Sequence, residues 1–176
     1  TRIEPYMIEK IESKNGEVLE NNFKQESVVL RPPAAYLMVS MMRDVNTRGT
    51  SAKIWSSGFH VPSGGKTGTT NDYTDAWYVG FTPKYTMGVW VGIDSHIPMG
   101  IGHTGGQAAV PIWTEVMKKA HKDLPRTEFK MPKGVTSASI CKGTQKLASD
   151  LCPASITELF TPSNRPTEIF SEADLN

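Results

Sequence analysis

Residues 63–94 read "SGGKTGTTNDYTDAWYVGFTPKYTMGVWVGID". Two runs in this stretch alternate with a period of two, "AWYVGF" at 76–81 and "YTMGVWVGID" at 85–94, with Thr82-Pro83-Lys84 between them. Trp77, Val79 and Phe81 alternate with Ala76, Tyr78 and Gly80, while Met87, Val89, Val91 and Ile93 alternate with Gly88, Trp90 and Gly92. Successive side chains of a strand point to opposite faces, so this pattern predicts strands. Both faces are apolar or glycine, which predicts strands inside a sheet covered on both sides. Lys66-Thr67-Gly68-Thr69-Thr70, just upstream, reads as a further strand. Its bland reading is a solvent-facing edge.

Working outward, "YMIEKIESKNGEVLE" (6–20) forms two alternating runs around Asn15-Gly16, a pair suited to the φ > 0 positions of a hairpin turn. Pro32 and Pro33 suit the first turn of a helix with Ala34, Leu37, Met38, Met41 and Val45 on one stripe and Gly49 available to end it. The methionines on that stripe are expected to fill core. Residues 50–65, rich in Gly, Ser and Thr, read as a long loop of the kind that often carries function. A second helix is predicted from Ala109, Ile112, Trp113, Val116, Met117 and Ala120, provided that Pro111 lies in its first turn. Beyond Pro125 the pattern weakens to a small hairpin or extended tail, so a boundary is placed near residue 126, dividing 1–125 from a C-terminal extension at 126–176.

The 176 residues suffice for one core plus an appendage. A formal net charge of +1 gives no electrostatic reason to expect nucleic acid as a partner. No run approaches the roughly 20 apolar residues that cross a bilayer, so no membrane insertion by this segment is expected, and "TRIEPYMIEK" lacks a signal-peptide layout. Cys141 and Cys152 have neither CxxC spacing nor nearby histidines, leaving a disulfide or two free thiols rather than a metal site; pairing would imply an oxidising compartment. No cofactor is expected.

Four motifs invite chemistry. Gly65-Lys66-Thr67 suggests a phosphate loop, but His60 stands where the first glycine is required and a strand rather than a helix follows. "GIGHTG" (100–105) matches G-x-G-x-x-G without the flanking strands of a dinucleotide site, and reads better as a glycine turn at a helix entrance. Ser63 to Lys66 and Ser139 to Lys142 match S-x-x-K, yet neither segment is a credible helix that would stack lysine beside hydroxyl. Ser13-Lys14-Asn15 matches S-x-N, but Asn15 is accounted for by its turn. The remaining strand, Lys66 to Thr70, offers a cation, a glycine against which an extended peptide can lie, and hydroxyls for a carboxylate. Strict alternation puts Lys66 and Thr67 on opposite faces, so joint action needs twist or an edge position.

Together with "GGQAAVPIWTEVMKKA" (105–120), the quoted stretch resembles the later part of the transpeptidase domain of class A penicillin-binding proteins. Their superfamily carries S-x-x-K, S-x-N and K-T-G motifs. The resemblance implies an α+β fold, an antiparallel sheet flanked by helices, and a cleft with the K-T-G strand as one wall. It implies catalytic roles for Lys66, which polarises the S-x-N hydroxyl, and for Thr69, whose N–H completes an oxyanion hole. It also implies substrate contacts from Thr67, Gly68, Thr69 and Thr70. The expected partners are a peptidoglycan stem peptide, β-lactams and the nucleophile-bearing part of the same protein, on the extracytoplasmic face of a bacterial membrane.

The nucleophile helix and the S-x-N loop would precede residue 1. The segment is therefore expected to be a fragment, inactive by itself. The alternatives are a non-catalytic peptidoglycan-binding or interaction module, or a carboxypeptidase or β-lactamase fragment.

Overall fold

The computed structural model describes residues 1–175. The N-terminal region is a nested pair of ribbons. β1 (Arg2–Ile3) pairs antiparallel with β4 (Glu26–Ser27), and between them β2 (Lys10–Glu12) pairs with β3 (Val18–Asn21) through the Asn15-Gly16 turn, where Gly16 takes φ +82°. That φ is available to glycine at no steric cost.

Helix α1 (Pro32–Thr47) begins as the paired prolines predict: Arg31 is extended, as a residue preceding proline must be, and the missing proline N–H costs the first turn nothing. Past its end, Gly49 folds back so tightly that a Cβ there would lie 2.8 Å from the Val45 Cα. The methionine expectation needs correction, because Met38 and Met41 are exposed and the buried residue of α1 is Asn46. α1 approaches the sheet along a different stripe, with its backbone at Met42 and Arg43 against Gly64. Leu37 and Met41 instead face a hollow of about 400 Å³ shared with Ile140, Ile156 and Phe160.

The stretch 50–65 is not simply loop. Lys53–Ser56 forms a short helix, α2, which buries Ile54, and Phe59 follows it into the core. Strands β5 (Gly64–Thr69), β6 (Asp75–Phe81) and β7 (Thr86–Gly92) then form an antiparallel sheet in the order β5-β6-β7. β5 pairs with β6 from Gly64↔Phe81 to Thr69↔Ala76. A π-helical turn, Gly105–Ala109, leads into α3 (Val110–Ala120), with Pro111 in the first turn.

The core lies between α3, α2 and one face of this sheet, and comprises Ile54, Phe59, Tyr78, Val89, Ala109, Val110, Trp113 and Met117. The α3 stripe is rotated from the predicted one. Ile112 and Val116 are exposed, whereas Val110, Trp113, Thr114 and Met117 are buried. Thr114 tolerates burial because its hydroxyl donates to the Val110 carbonyl at 2.8 Å.

The expectation of a sheet covered on both sides also needs correction. Trp77 and Val79 are 47% and 46% exposed, since among the described residues helices cover only the opposite face. On the outer face Trp77 pairs with Trp90 across the strands, and the Trp90 indole donates to Asp75 Oδ1 at 2.8 Å. That bond, followed by one from Thr74, holds the Asp75 carboxyl below its usual range.

After α3 the chain forms a further hairpin, β8 (Thr136–Cys141) and β9 (Ser155–Phe160), with a small buried group of Val135, Ala138, Ile140 and Phe170. Cys141 and Cys152 are joined in a disulfide. Arg48 bridges Asp44 at 2.5 Å and Glu158 of β9 at 2.6 Å, and these two carboxylates raise its pKa.

Candidate active site

Strand alternation sends Lys66 and Thr67 to opposite faces, and β5 is the edge strand of its sheet, so both flank the same margin. Thr67 and Thr69 share the helix-covered face with Tyr78 and Ala76, their register partners. Their side chains line a cleft of about 380 Å³ together with Thr50, Lys53, Thr104 and Gln107. Thr67 Oγ1 lies 3.1 Å from Thr50 Oγ1, and Thr69 Oγ1 accepts the Gly105 N–H at 3.0 Å. Each hydroxyl has one proton and two lone pairs. The Gly105 bond therefore leaves the Thr69 O–H free to donate, and Thr67 keeps its own when Thr50 is the donor in their bond.

The cleft is held close by backbone approach. A Cβ on Gly105 would stand 2.2 Å from the Trp77 carbonyl oxygen, 2.8 Å from that of Gly68 and 3.2 Å from the Thr67 Cβ. The Gly105 turn thus lies directly on β5 and β6, where any other residue would push it off. Across the cleft, the Lys53 ammonium donates to Gln107 Oε1, joining α2 to the turn before α3.

Lys66 is exposed on the other face, where its ammonium bonds to the Thr67 carbonyl at 2.8 Å. Gly68 sits beside Trp77 on that face. Thr70 is not brought to the cleft. Its Oγ1 accepts the N–H groups of Thr74 and Asp75 at 3.0 and 2.9 Å and bonds the Thr74 hydroxyl at 2.8 Å, so it shapes the β5–β6 turn.

Neither S-x-x-K match stacks its pair on a helix. Ser63 is buried before β5 and Lys66 lies within β5; Ser139 lies in β8 and Lys142 just beyond it. In "GIGHTG", Gly100 and Gly102 take φ +108° and +92° as a turn ahead of the Gly105 segment. Thr50, Lys53, Thr104 and Gln107 escaped the sequence reading; only the "GGQAA" context hinted at Gln107.

Behind β5 lies a polar cluster inside the core. Asn46 donates its amide to Ser63 Oγ at 3.1 Å and accepts the Tyr78 hydroxyl at 2.6 Å. Burial pushes the Tyr78 phenol up to about 12, outweighing the opposing effect of the Asn46 bond. An unfolded tyrosine titrates near 10. The neutral phenol is favoured in the folded chain, so this contribution is full below about pH 10 and is lost as pH rises through about 12. Denaturant melts across that range are expected to lose of order 2 kcal/mol, an effect absent from Tyr78→Phe.

The model for the penicillin binding protein transpeptidase domain matches residues 1–118. The chain belongs to that family. A second model, for the penicillin-binding protein 1A C-terminal domain, matches residues 131–173. Among curated relatives, penicillin-binding protein 1A of Aquifex aeolicus is 38% identical over 166 residues, and that of Clostridium tetani 32% identical over 170. Each alignment covers 94% of this chain and 22% of the relative, so the chain spans about a fifth of their length. The crystal structure of penicillin-binding protein 1A from Haemophilus influenzae superposes with a TM-score of 0.78 at 26% identity, covering 96% of this chain and 30% of that one. The fold is therefore the α+β arrangement of this transpeptidase family.

Proposed function

We propose that this chain is the K-T-G portion of a peptidoglycan DD-transpeptidase and supplies one wall of its acyl-transfer cleft. The observation that carries the reading is the pair of Thr67 and Thr69 hydroxyls, side by side in a cleft along the edge strand that also bears Lys66. In this reaction a serine Oγ, delivered by an S-x-x-K helix outside these residues, attacks the D-Ala-D-Ala carbonyl. The tetrahedral intermediate expels D-alanine, and the acyl group passes from the serine to an amine of a neighbouring strand. The N–H of Thr69 acts as an oxyanion donor, a role whose loss typically costs about 10²–10³ in rate. Thr67 and Thr69 hydroxyls hold the terminal carboxylate, Lys66 polarises the S-x-N hydroxyl, and Gly68 leaves room for an extended peptide. β-Lactams acylate the same serine. The disulfide supports an extracytoplasmic site, where oxidising conditions keep such bonds. Residues 126–176 form a C-terminal extension with its own hairpin.

Fluorescent penicillin tests the reading. A longer protein that carries this segment and its nucleophile helix is expected to label covalently, and the 176-residue chain alone is expected not to. Labelling of the isolated chain would place a nucleophile inside it, whereas an unlabelled longer protein would favour a non-catalytic module.

A further inference from the structure

We propose that the buried cluster of Asn46, Ser63 and Tyr78 is a positioning device for the K-T-G strand, holding β5 against the end of α1 in the register that acylation requires. The inference rests on the transpeptidase reading above. Asn46 is 2% exposed, and a buried amide is costly unless both its ends are satisfied. Here both are, by Ser63 and by Tyr78.

Stability alone does not call for this arrangement. An apolar pair of similar shape can serve as well as a buried, satisfied polar pair. What distinguishes the cluster is its place. Ser63 immediately precedes β5, and Tyr78 lies on β6 opposite Thr67. The Tyr78 hydroxyl rests on β5 one residue before Lys66, where a Cβ on Gly65 would stand 2.2 Å from it. Asn46 sits near the end of α1, just before the turn that carries Thr50 to its bond with Thr67. One amide therefore ties the end of α1, which leads to Thr50, both to the start of β5 and to the middle strand, immediately ahead of the residues from Lys66 to Thr69. Hydrogen bonds fix distance and direction, whereas an apolar contact resists sliding along a strand only weakly.

The test uses the full transpeptidase, with fluorescent penicillin titrated to separate apparent affinity from the acylation rate constant. Two variants are compared with the parent. The double variant Asn46→Leu/Tyr78→Phe replaces both polar partners at once, and Tyr78→Phe removes a single oxygen and keeps the ring. The double variant is expected to unfold cooperatively near the parent's midpoint, and Tyr78→Phe somewhat below it because the buried Asn46 oxygen loses its donor, while in both the acylation rate constant falls about ten- to a hundredfold, the scale of a small misplacement. Apparent affinity should change by no more than about threefold. Should the double variant fail to fold, Tyr78→Phe carries the comparison. An acylation rate constant within about twofold of the parent in a folded variant overturns the positioning role. Labelling of the parent separates the two layers: an unlabelled parent removes the transpeptidase assignment, whereas a labelled parent beside an unaffected Tyr78→Phe removes only this inference.

Discussion

Lys66→Ala in a complete transpeptidase carrying this segment is expected to cut penicillin acylation by about 10³ while leaving the unfolding midpoint unmoved. The two halves of that expectation have separate physical grounds. Lys66 is exposed, and among the described residues its side chain makes one hydrogen bond, from its ammonium to the neighbouring Thr67 carbonyl, so removing the side chain opens no cavity and strands no buried group. Substitutions at such positions rarely disturb stability. In the proposed reaction the ammonium is the cation that β5 offers to the S-x-N hydroxyl and the proton relay, and loss of a preorganised electrostatic group typically costs about 10²–10³, or more when proton transfer is also affected. Lys66→Arg keeps the charge but not the compact, rotatable ammonium, and should recover only part of the rate. Single-turnover labelling measured alongside thermal melts separates the outcomes. Full-rate labelling by Lys66→Ala would exclude the lysine from the mechanism, and a lowered melting midpoint would reveal a structural role that its exposure does not show.

The strands of residues 64–92 were legible because period two survives in tryptophans and glycines alike. The side on which the core lies was not. Ala76 and Tyr78 alternate with Trp77 and Val79 at equal hydrophobicity, and the choice is made by Trp113, more than thirty residues away, seating its ring on Gly80. Phase errors on the helices have the same origin. Ile112 and Val116 match a helical stripe as well as Trp113 and Met117 do, and only the tertiary partners decide between them. At the cleft, the K-T-G strand was visible as a motif, but the opposite wall was not. Thr50, Lys53 and Gln107 come from segments with no mutual spacing, and the close approach of Gly105 depends on backbone that arrives from β5 and β6. Asn46 was hidden for a different reason: a polar residue on an apolar helix suggests a solvent-facing position, and its partners lie 17 and 32 residues downstream.

Trp113→Ala is expected to be the most destabilising single truncation in the sheet-covering helix, by about 3–5 kcal/mol. The indole is 0% exposed and meets Phe59 and Tyr78 edge-to-face, with ring centroids 5.7 and 5.3 Å away. Its Nε1 donates to the Met87 carbonyl at 3.1 Å, so truncation also deprives β7 of a hydrogen bond. Gly80, on which the ring is seated, has no side chain with which to fill the void. Against a typical total of about 5–15 kcal/mol, such a loss leaves much of the population unfolded on gentle heating. Trp113→Phe retains most of the ring contact and loses the indole N–H, and should cost closer to 1–2 kcal/mol, roughly one hydrogen bond and a small void. Denaturant melts of the two variants decide the matter. If alanine costs under about 1 kcal/mol, the core is not organised around this ring, since fully buried tryptophans do not come out so cheaply. The consequence reaches the cleft as well: α3 carries the Gly105 turn whose N–H orients Thr69, so a loosened Trp113 frees the hydroxyl that the carboxylate is proposed to meet.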